Sequence, residues 1–316
     1  MLIKPRAIRP VTRRGQVDRL YAFVWHMSGC HQASVILLGL AVAALAVVPL
    51  ELQRRIVDDA IAEQDGRLLL WLGAIYVASI VVSGSLKFVL RLYEGWLAES
   101  TTMFCRQRLA ELHYENRDEN GGSEDGTAVS IIRAEIEQVA GFVGDGLSNP
   151  AANLGTLIAV VGYMLWVEPF IAIASFAFLL PQLALAPIIQ SRINRLTESR
   201  IEKLRALSGI IADTNGDSNF ESDFPRTATS IYANRIAIFA WKFLGKALLN
   251  LLNALAPIAV LVIGGMMVID QQTELGIVVA FTTGFARLSD PLRSLIAYYR
   301  EAALTSVKHR MIVEWI

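Results

Sequence analysis

The sequence predicts an all-α membrane protein with six transmembrane helices that continue as long helical extensions on the cytoplasmic side. Composition is the first reason, because 54% of the 316 residues are hydrophobic and only 18% are charged, against roughly 25% charged in a typical soluble domain. The second reason is a series of apolar runs long enough to cross a bilayer as helices. The third is the placement of Lys and Arg, which are concentrated on one side of those runs.

Five uncharged runs are candidates for membrane spans, because a hydrocarbon core of about 30 Å requires about 20 apolar residues in a helix. These runs cover residues 33–50, 68–86, 147–167, 169–190 and 247–269. A sixth span requires residues 275–286 to continue as one helix into the charged residues that follow. An even number of spans places both termini on the same side of the membrane.

The orientation follows from the basic residues. Segments 1–32, 97–146, 191–246 and 287–316 together carry 24 Lys and Arg residues, whereas the opposite loops carry only Arg54, Arg55 and Arg67. Because basic residues favour the cytoplasmic side, this asymmetry predicts an integral protein of the plasma (inner) membrane with both termini and both long loops in the cytoplasm.

The first 32 residues form a separate predicted region, a basic cytoplasmic N-terminus followed by an interfacial elbow helix. The stretch "VDRLYAFVWHMSG" places Leu20, Phe23, Val24 and Met27 on one helical face, as expected of an amphipathic helix lying along the membrane surface. A simple extension of the first span is the alternative. Residues 33–316 then form the predicted six-helix transmembrane domain.

Two cytoplasmic loops of roughly fifty residues each are predicted to be largely helical. The stretches "AESTTMFCRQRLAELHYE" and "SRINRLTESRIEKLRALSGIIAD" have the helical period with charged outer faces. Turn-forming residues interrupt both loops, at 116–126 and 214–225. Each pair of extended helices therefore ends in an irregular tip, and long loops on one side only indicate a docking surface.

Several segments resemble the transmembrane domain of a type I ABC exporter, and the resemblance covers essentially the whole chain. The stretch "VVPLELQRRIVDDAI", with Pro49 and residues 56–58, is similar to the end of that family's first span. "GTAVSIIRAEIEQVAGFVGDGL" resembles its first cytoplasmic loop, and "LAPIAVLVIGGMMVIDQQTELGIVVAF" followed by "LSDPLRSL" resembles its fifth and sixth spans. The resemblance implies half of an alternating-access pathway that pairs with a second transmembrane half, as a homodimer or a heterodimer.

The resemblance also implies an ATPase partner, as a subunit or a domain, that binds ATP and Mg. The sequence contains no G-x-x-x-x-G-K-[ST] phosphate loop, because Gly245 and Lys246 lack the upstream glycine and are followed by Ala247. We therefore expect that this chain binds no cofactor itself and is not an ATPase by itself. The two irregular tips are the expected docking sites for the ATPase. Their candidate residues are Asn116, Asp118, Asn120, Asp217, Phe220 and Phe224.

The predicted sixth span carries an unusual number of charges. On a continuous helix at 100° per residue, seven polar positions fall within an arc of roughly 160°. They are Thr283, Arg287, Asp290, Arg293, Arg300, Glu301 and Lys308. Because ionisable residues in a membrane helix face water or partners, this stripe is predicted to line a cavity, although the last three also fit a solvated cytoplasmic face.

Within that stripe, Arg287 and Asp290 are predicted to pair with each other or across a dimer, with a kink after Asp290 caused by Pro291. Asn250 and Asn253, one turn apart in the fifth span, fit either substrate contact or hydrogen bonding between helices. The candidate pathway residues are Arg287, Asp290, Arg293, Asn250 and Asn253. By contrast, Lys87, Arg91 and Glu94 are expected to form a solvated helix face.

No catalytic or metal site is predicted. The four histidines, at 26, 31, 113 and 309, and the two cysteines, at 30 and 105, show no ligand or nucleophile spacing. The net charge of zero gives no support for binding nucleic acid, so the expected partners are proteins and membrane lipids. Two other functions stay open. One is an ion-driven carrier with Asp290 as proton relay. The other is a truncated, non-transporting membrane protein, indicated by the end at Ile316 and by the proline and acidic residues of the second loop.

Overall fold

A computed structural model describes residues 4–6, 8, 19–116, 135–177, 179–212 and 220–315, and regular structure in these ranges is helical throughout. In chain order the elements are α1 Leu20–Ser28, α2 Cys30–Leu45, α3 Val48–Arg55, a π-helical segment Ile56–Ile61, α4 Gly66–Asn116, α5 Ile136–Asp145, α6 Ser148–Val167, α7 Pro169–Phe176, α8 Leu179–Ala212, α9 Phe220–Ile269, α10 Leu275–Ala286 and α11 Ser289–Trp315. The all-α prediction is confirmed.

Four helical segments of the described residues are long and apolar enough to cross a membrane: Cys30–Ile61, Gly66–Glu111, Ile136–Val167 and Asp223–Ile269. They contain the first, second, third and fifth predicted spans. The region of the fourth predicted span is divided between α7 and α8, and that of the sixth between α10 and α11. The count of six spans therefore stays a prediction.

The chain divides into two compact units. Met1–Val167 together with Glu274–Ile316 form the first unit, and Glu168–Thr273 form the second. The predicted boundary at residue 32, between the N-terminal region and the transmembrane domain, lies within the first unit and stays a prediction.

In the first unit, α1 packs against α5 and α11 through the apolar face that the sequence predicts. Leu20, Phe23, Val24 and Met27 are all buried in one cluster with residues of α4, α5 and α11. This face is therefore covered by protein, because α11 and α5 bring complementary apolar side chains to it. Tyr21 and Trp25 of α1 are exposed. Exposed Tyr and Trp side chains are typical of the membrane–water interface, and the interfacial position of α1 stays a prediction.

The described helices extend into both predicted tips. Helix α4 continues to Asn116, and α9 already begins at Phe220, so the last six residues of the predicted second tip are helical. Pro225 lies in the second turn of α9, where it removes one helical hydrogen bond. The rest of both predicted tips lies outside the described residues.

The second unit is built on α8 and α9, which run antiparallel and pack along their lengths. Gly245 of α9 lies against Ile189 of α8. Fourteen residues further along α8 and fifteen residues back along α9, the Lys203 ammonium donates to the Ser230 carbonyl at 3.4 Å. Helix α7 packs against α9 as well.

Candidate functional site

The first half of the candidate site is an interruption in the first predicted span. Helix α2 ends at Leu45 and α3 begins at Val48. Pro49 causes the break, because it has no N–H to donate to the Leu45 carbonyl and its ring crowds that oxygen. The next amide, that of Leu50, donates to Val47 at 2.9 Å. The Ala46 carbonyl therefore receives no helical hydrogen bond from Leu50.

The second half is a similar interruption in the predicted sixth span. Helix α10 ends at Ala286 and α11 begins at Ser289, and the Leu288 amide donates to Phe285, only three residues back, at 3.1 Å. Pro291 contributes, because it cannot donate to the Arg287 carbonyl. The prediction of one continuous helix is therefore wrong, and the break lies before Asp290 rather than after it.

The two interruptions meet. The Arg287 guanidinium, through Nη1, donates to the Ala46 carbonyl at 3.2 Å. Arg287 thus supplies a donor to a carbonyl that the break beside Pro49 left without its usual helical partner. Such replacement of a lost backbone bond by a side chain is what allows broken helices to persist in an apolar environment.

The surroundings of this junction are tightly packed and apolar. Leu50, Phe285, Leu288 and Met164 are at most 1% exposed. Gly284 fits between them, since a Cβ added there would lie 3.4 Å from a Leu50 methyl and 3.5 Å from the Met164 sulfur. The half-buried Arg287 is consequently the charged residue of this largely apolar junction among the described residues.

A second junction joins the beginning of α10 to the π-helical segment. The Asp58 carboxylate accepts a hydrogen bond from the Gly276 amide at 2.6 Å, so Asp58 satisfies an amide in the first turn of α10, where helices leave N–H groups free. Gly276 lies so close to the Arg54 carbonyl and to Asp58 that a Cβ has no room. This close approach requires glycine.

Beside it, a polar network is centred on Glu51. The carboxylate accepts from Arg54 at 2.9 Å, from Arg55 at 2.7 Å and from the Tyr163 hydroxyl at 3.0 Å. Arg54 also lies 3.5 Å from the carboxylate of Glu274, the residue that precedes α10. The network therefore connects α3, α6 and the start of α10.

The structure does not pair Arg287 with Asp290. Among the described residues, Arg287 forms no ion pair with Asp290, and Asp290 is exposed as the second residue of α11. The intramolecular pair is a wrong prediction, because a spacing of three residues brings side chains together only within a continuous helix. For the same reason the predicted stripe does not lie along one helix: Thr283 belongs to α10, and the residues from Asp290 onward belong to α11.

The other predicted pathway residues are placed as follows. Arg293 is exposed on α11 of the first unit. Asn250 and Asn253 lie on successive turns of α9 in the second unit, the first exposed and the second half-buried. Their contact with a substrate stays a prediction.

The predicted docking residues fall partly within the described structure. Asn116 is the last residue of α4, and Phe220 is the first residue of α9. Phe224 is half-buried one turn further along α9. Asp118, Asn120 and Asp217 lie outside the described residues.

One polar cluster was missed by the sequence analysis. Glu94 is only 4% exposed, so its assignment to a solvated face is wrong. Its carboxylate accepts from the Ser148 hydroxyl at 2.6 Å and from Arg91 at 3.0 Å, and Gly144 packs directly on its backbone carbonyl. Gly144 and Ser148, one turn apart, are the sequence feature that could have predicted this cluster, because two small residues at this spacing let a neighbouring helix approach closely.

Near this cluster, α11 approaches the end of α5. The Tyr298 ring stacks on Phe142 at 5.9 Å between centroids, and its hydroxyl lies 3.1 Å from that of Tyr21. Burial and the negative charge of Asp145 raise the pKa of the Glu301 carboxyl, three turns into α11, above its ordinary value. Glu301 therefore binds its proton more tightly than a fully solvated glutamate does.

Comparison with known proteins identifies the framework that carries these junctions. The family model described as "ABC transporter transmembrane region" matches residues 33–292. The chain belongs to the ABC transporter transmembrane family. Both helix interruptions of this ABC transmembrane chain lie within the matched range, as do Asp58 and Gly276. The resemblance found in the sequence is confirmed, and the chain is an integral membrane protein with several membrane-crossing helices.

This ABC transmembrane chain is also similar to the "Putative multidrug export ATP-binding/permease protein YgaD" of Bacillus subtilis (strain 168). The two are 21% identical over 285 residues, which cover 83% of this chain and 48% of that protein. The chain thus spans about half the length of the curated relative that it matches. The similarity is that of a distant homologue.

Proposed function

We propose that this chain forms the membrane-spanning half of an ATP-driven ABC exporter, and that two such halves enclose one alternating-access pathway. The observation that carries the proposal is the hydrogen bond between Arg287 and the Ala46 carbonyl, which joins two broken helices inside the family's matched region. Broken helices at membrane depth occur where they are packed in protein or line a water-filled cavity. The similarity to a Bacillus protein named as a putative multidrug export permease supports export as the direction of transport.

The proposed topology has six spans and cytoplasmic termini in the plasma membrane. The fourth span consists of α7 with the beginning of α8, and the sixth consists of α10 with the first turns of α11. Arg287 lies twelve residues after Leu275, which corresponds to about 18 Å along a helix at 1.5 Å per residue. If α10 begins at the outer surface, Arg287 lies near the middle of a hydrocarbon core of about 30 Å.

In this proposal the junction between Arg287 and Ala46 acts as a hinge. Helix interruptions absorb changes of backbone angle, and rigid-body movement of packed helices uses a few such positions. A rotation of the first span relative to the sixth would separate Arg287 from Ala46 and free the guanidinium for a substrate or a water molecule. In the proposed cycle Arg287, Asp290, Arg293, Asn250 and Asn253 line the pathway, and a substrate shifts the equilibrium only through different affinities for the two states.

Energy comes from an ATPase, present as a domain or as a separate subunit, that binds ATP and Mg. In the proposal it contacts the first tip through Asn116, Asp118 and Asn120 and the second through Asp217, Phe220 and Phe224. The position of Phe220 and Phe224 in the first turns of α9 supports a rigid connection. Movement of the ATPase would then be transmitted along α9 into the membrane.

Cysteine crosslinking tests the coupling. Cys30 and Cys105 are replaced by alanine, single cysteines are introduced at Ser123 and Ser218, and the protein is co-expressed with candidate ATPase subunits. We expect a crosslink to an ATPase from each tip, with a yield that changes when ATP and Mg are added. A cysteine at the exposed Ser85, within the apolar part of α4, is the matched control and should form none.

The same preparation distinguishes an ATP-driven exporter from an ion-driven carrier. Reconstituted in liposomes, an ATP-driven exporter moves a fluorescent hydrophobic dye only with ATP and Mg. Transport driven by a pH gradient without nucleotide would favour the ion-driven carrier, and the lack of any crosslink at both tips would contradict docking.

A further inference from the structure

The second unit carries a surface groove whose lining residues are not among the proposed pathway residues. It has a volume of about 440 Å³ and lies along α8 where Trp241 of α9 packs beside it. The lining residues are Pro187, Ile188, Ser191, Arg192, Arg195 and Trp241. The Arg192 guanidinium lies 6.0 Å from the centre of the Trp241 ring, a distance at which cation and ring attract each other.

The groove is positively charged and open. Arg192 and Arg195 are exposed, and neither forms an ion pair within the described part of the chain. The sequence has no Asp or Glu between positions 169 and 197, nor between 224 and 269. Glu198 follows Arg195 by three residues but forms no ion pair with it in the described part of the chain. Two guanidinium groups three residues apart, without an acid in the groove lining, attract an anion.

The position of the groove along the helices indicates which class of anion it binds. Arg192 follows the apolar run 169–190, and Trp241 precedes the apolar run 247–269. Because Ile189 packs on Gly245, the two apolar runs end at the same level of the antiparallel pair. Tryptophan and arginine at this level are typical of the boundary between hydrocarbon and headgroups, here on the side rich in basic residues.

We propose that this groove binds the phosphate headgroup of an anionic lipid from the cytoplasmic leaflet. Guanidinium groups match a phosphate with paired N–H donors, and the exposed Ser191 hydroxyl adds a third donor. Ile188, which is 61% exposed, and Pro187 lie on the membrane side of the arginines and contact the acyl chains. The groove thus makes the α8–α9 pair a lipid-sensing surface, whatever the transported substrate.

Native mass spectrometry of the full protein in detergent tests the proposal, with phosphatidylglycerol and phosphatidylcholine titrated separately. We expect phosphatidylglycerol to bind at least about fivefold more tightly, and the substitution of both arginines by glutamine to weaken its binding by roughly tenfold. Lys246→Gln is the matched control, because Lys246 is basic and exposed five residues after Trp241 but does not line the groove. It should bind phosphatidylglycerol as the unmodified protein does.

A second measurement keeps the native arginines in place, for the case that the double variant does not fold. A cysteine at Ser191 is labelled with a maleimide in nanodiscs, and phosphatidylglycerol should slow the labelling several-fold relative to phosphatidylcholine. Equal binding of the two lipids, or an equal loss in Lys246→Gln, overturns the proposal. So does equal protection by inorganic phosphate, which would indicate a free-anion site, and so does a crosslink from this cysteine to a second copy of the chain, which would show that the groove is a protein interface.

Discussion

Asp58 binds the backbone amide of Gly276, 218 residues later in the chain, at 2.6 Å. Asp58 belongs to the segment that resembles the end of the family's first span, and Gly276 lies in the first turn of α10. The carboxylate thus acts as a distant N-terminal cap, favoured both by the free amide and by the positive end of the helix dipole. The contact connects the π-helical segment to the start of α10.

Removing this cap should destabilise the folded protein. Asp58→Ala leaves the Gly276 amide without its acceptor, and we expect a loss of about 1 kcal/mol, measured as a fall in Tm of about 2–4 °C in detergent. Asp58→Asn keeps an acceptor oxygen and should lose less. Equal Tm values for Asp58→Ala and the unmodified protein would contradict the capping role.

Gly276→Ala should be more harmful than loss of the cap. The added methyl group would meet the Arg54 carbonyl and the Asp58 carboxylate, and a backbone carbonyl cannot move aside as a flexible side chain can. We expect a loss of about 1–3 kcal/mol, seen in the same thermal unfolding. The control is Gly265→Ala in α9, where a Cβ meets nothing within 4 Å, and an equal Tm change in both variants would refute the close-approach argument.

Arg287 and Pro49 should be energetically coupled. Arg287→Gln shortens the donor and leaves the Ala46 carbonyl without Arg287, at a cost of about 1–3 kcal/mol. In a Pro49→Ala background the helix can re-form its own hydrogen bonds, so the same change should cost less. A double-mutant cycle in thermal unfolding should therefore give a coupling of at least about 0.5 kcal/mol. Strict additivity would mean that the break and the arginine act independently.

Asp290→Asn and Arg287→Gln should have additive effects within about 0.5 kcal/mol, because the two side chains form no ion pair in the described chain. Tm and ATP-dependent dye transport are measured for both single variants and for the double variant. A double variant that recovers transport lost by Asp290→Asn would show instead that the residues pair across a dimer. Arg310→Gln, exposed on α11 and outside the proposed pathway, controls for loss of charge alone.

Much of this protein was determined by local properties of its sequence. Apolar run lengths predicted four spans that the structure contains in long apolar helical segments. The spacing of Leu20, Phe23, Val24 and Met27 predicted the buried face of α1. Pro49 and residues 56–58 also marked the family. These features depend on the order of neighbouring residues, because helix period and hydrophobic length act within a few turns.

Only the tertiary structure decided which polar groups meet. Arg287 was expected to contact Asp290, three residues away, but its partner is Ala46, 241 residues away. Glu94 was expected on a solvated face but is buried against Ser148, 54 residues away. A helical wheel assumes an uninterrupted helix and contains no information about neighbouring helices. The partner of a polar side chain in a bundle is set by which helix packs against it. The breaks beside Pro49 and Pro291 determine which backbone carbonyls lack a helical hydrogen bond and can accept one from such a side chain.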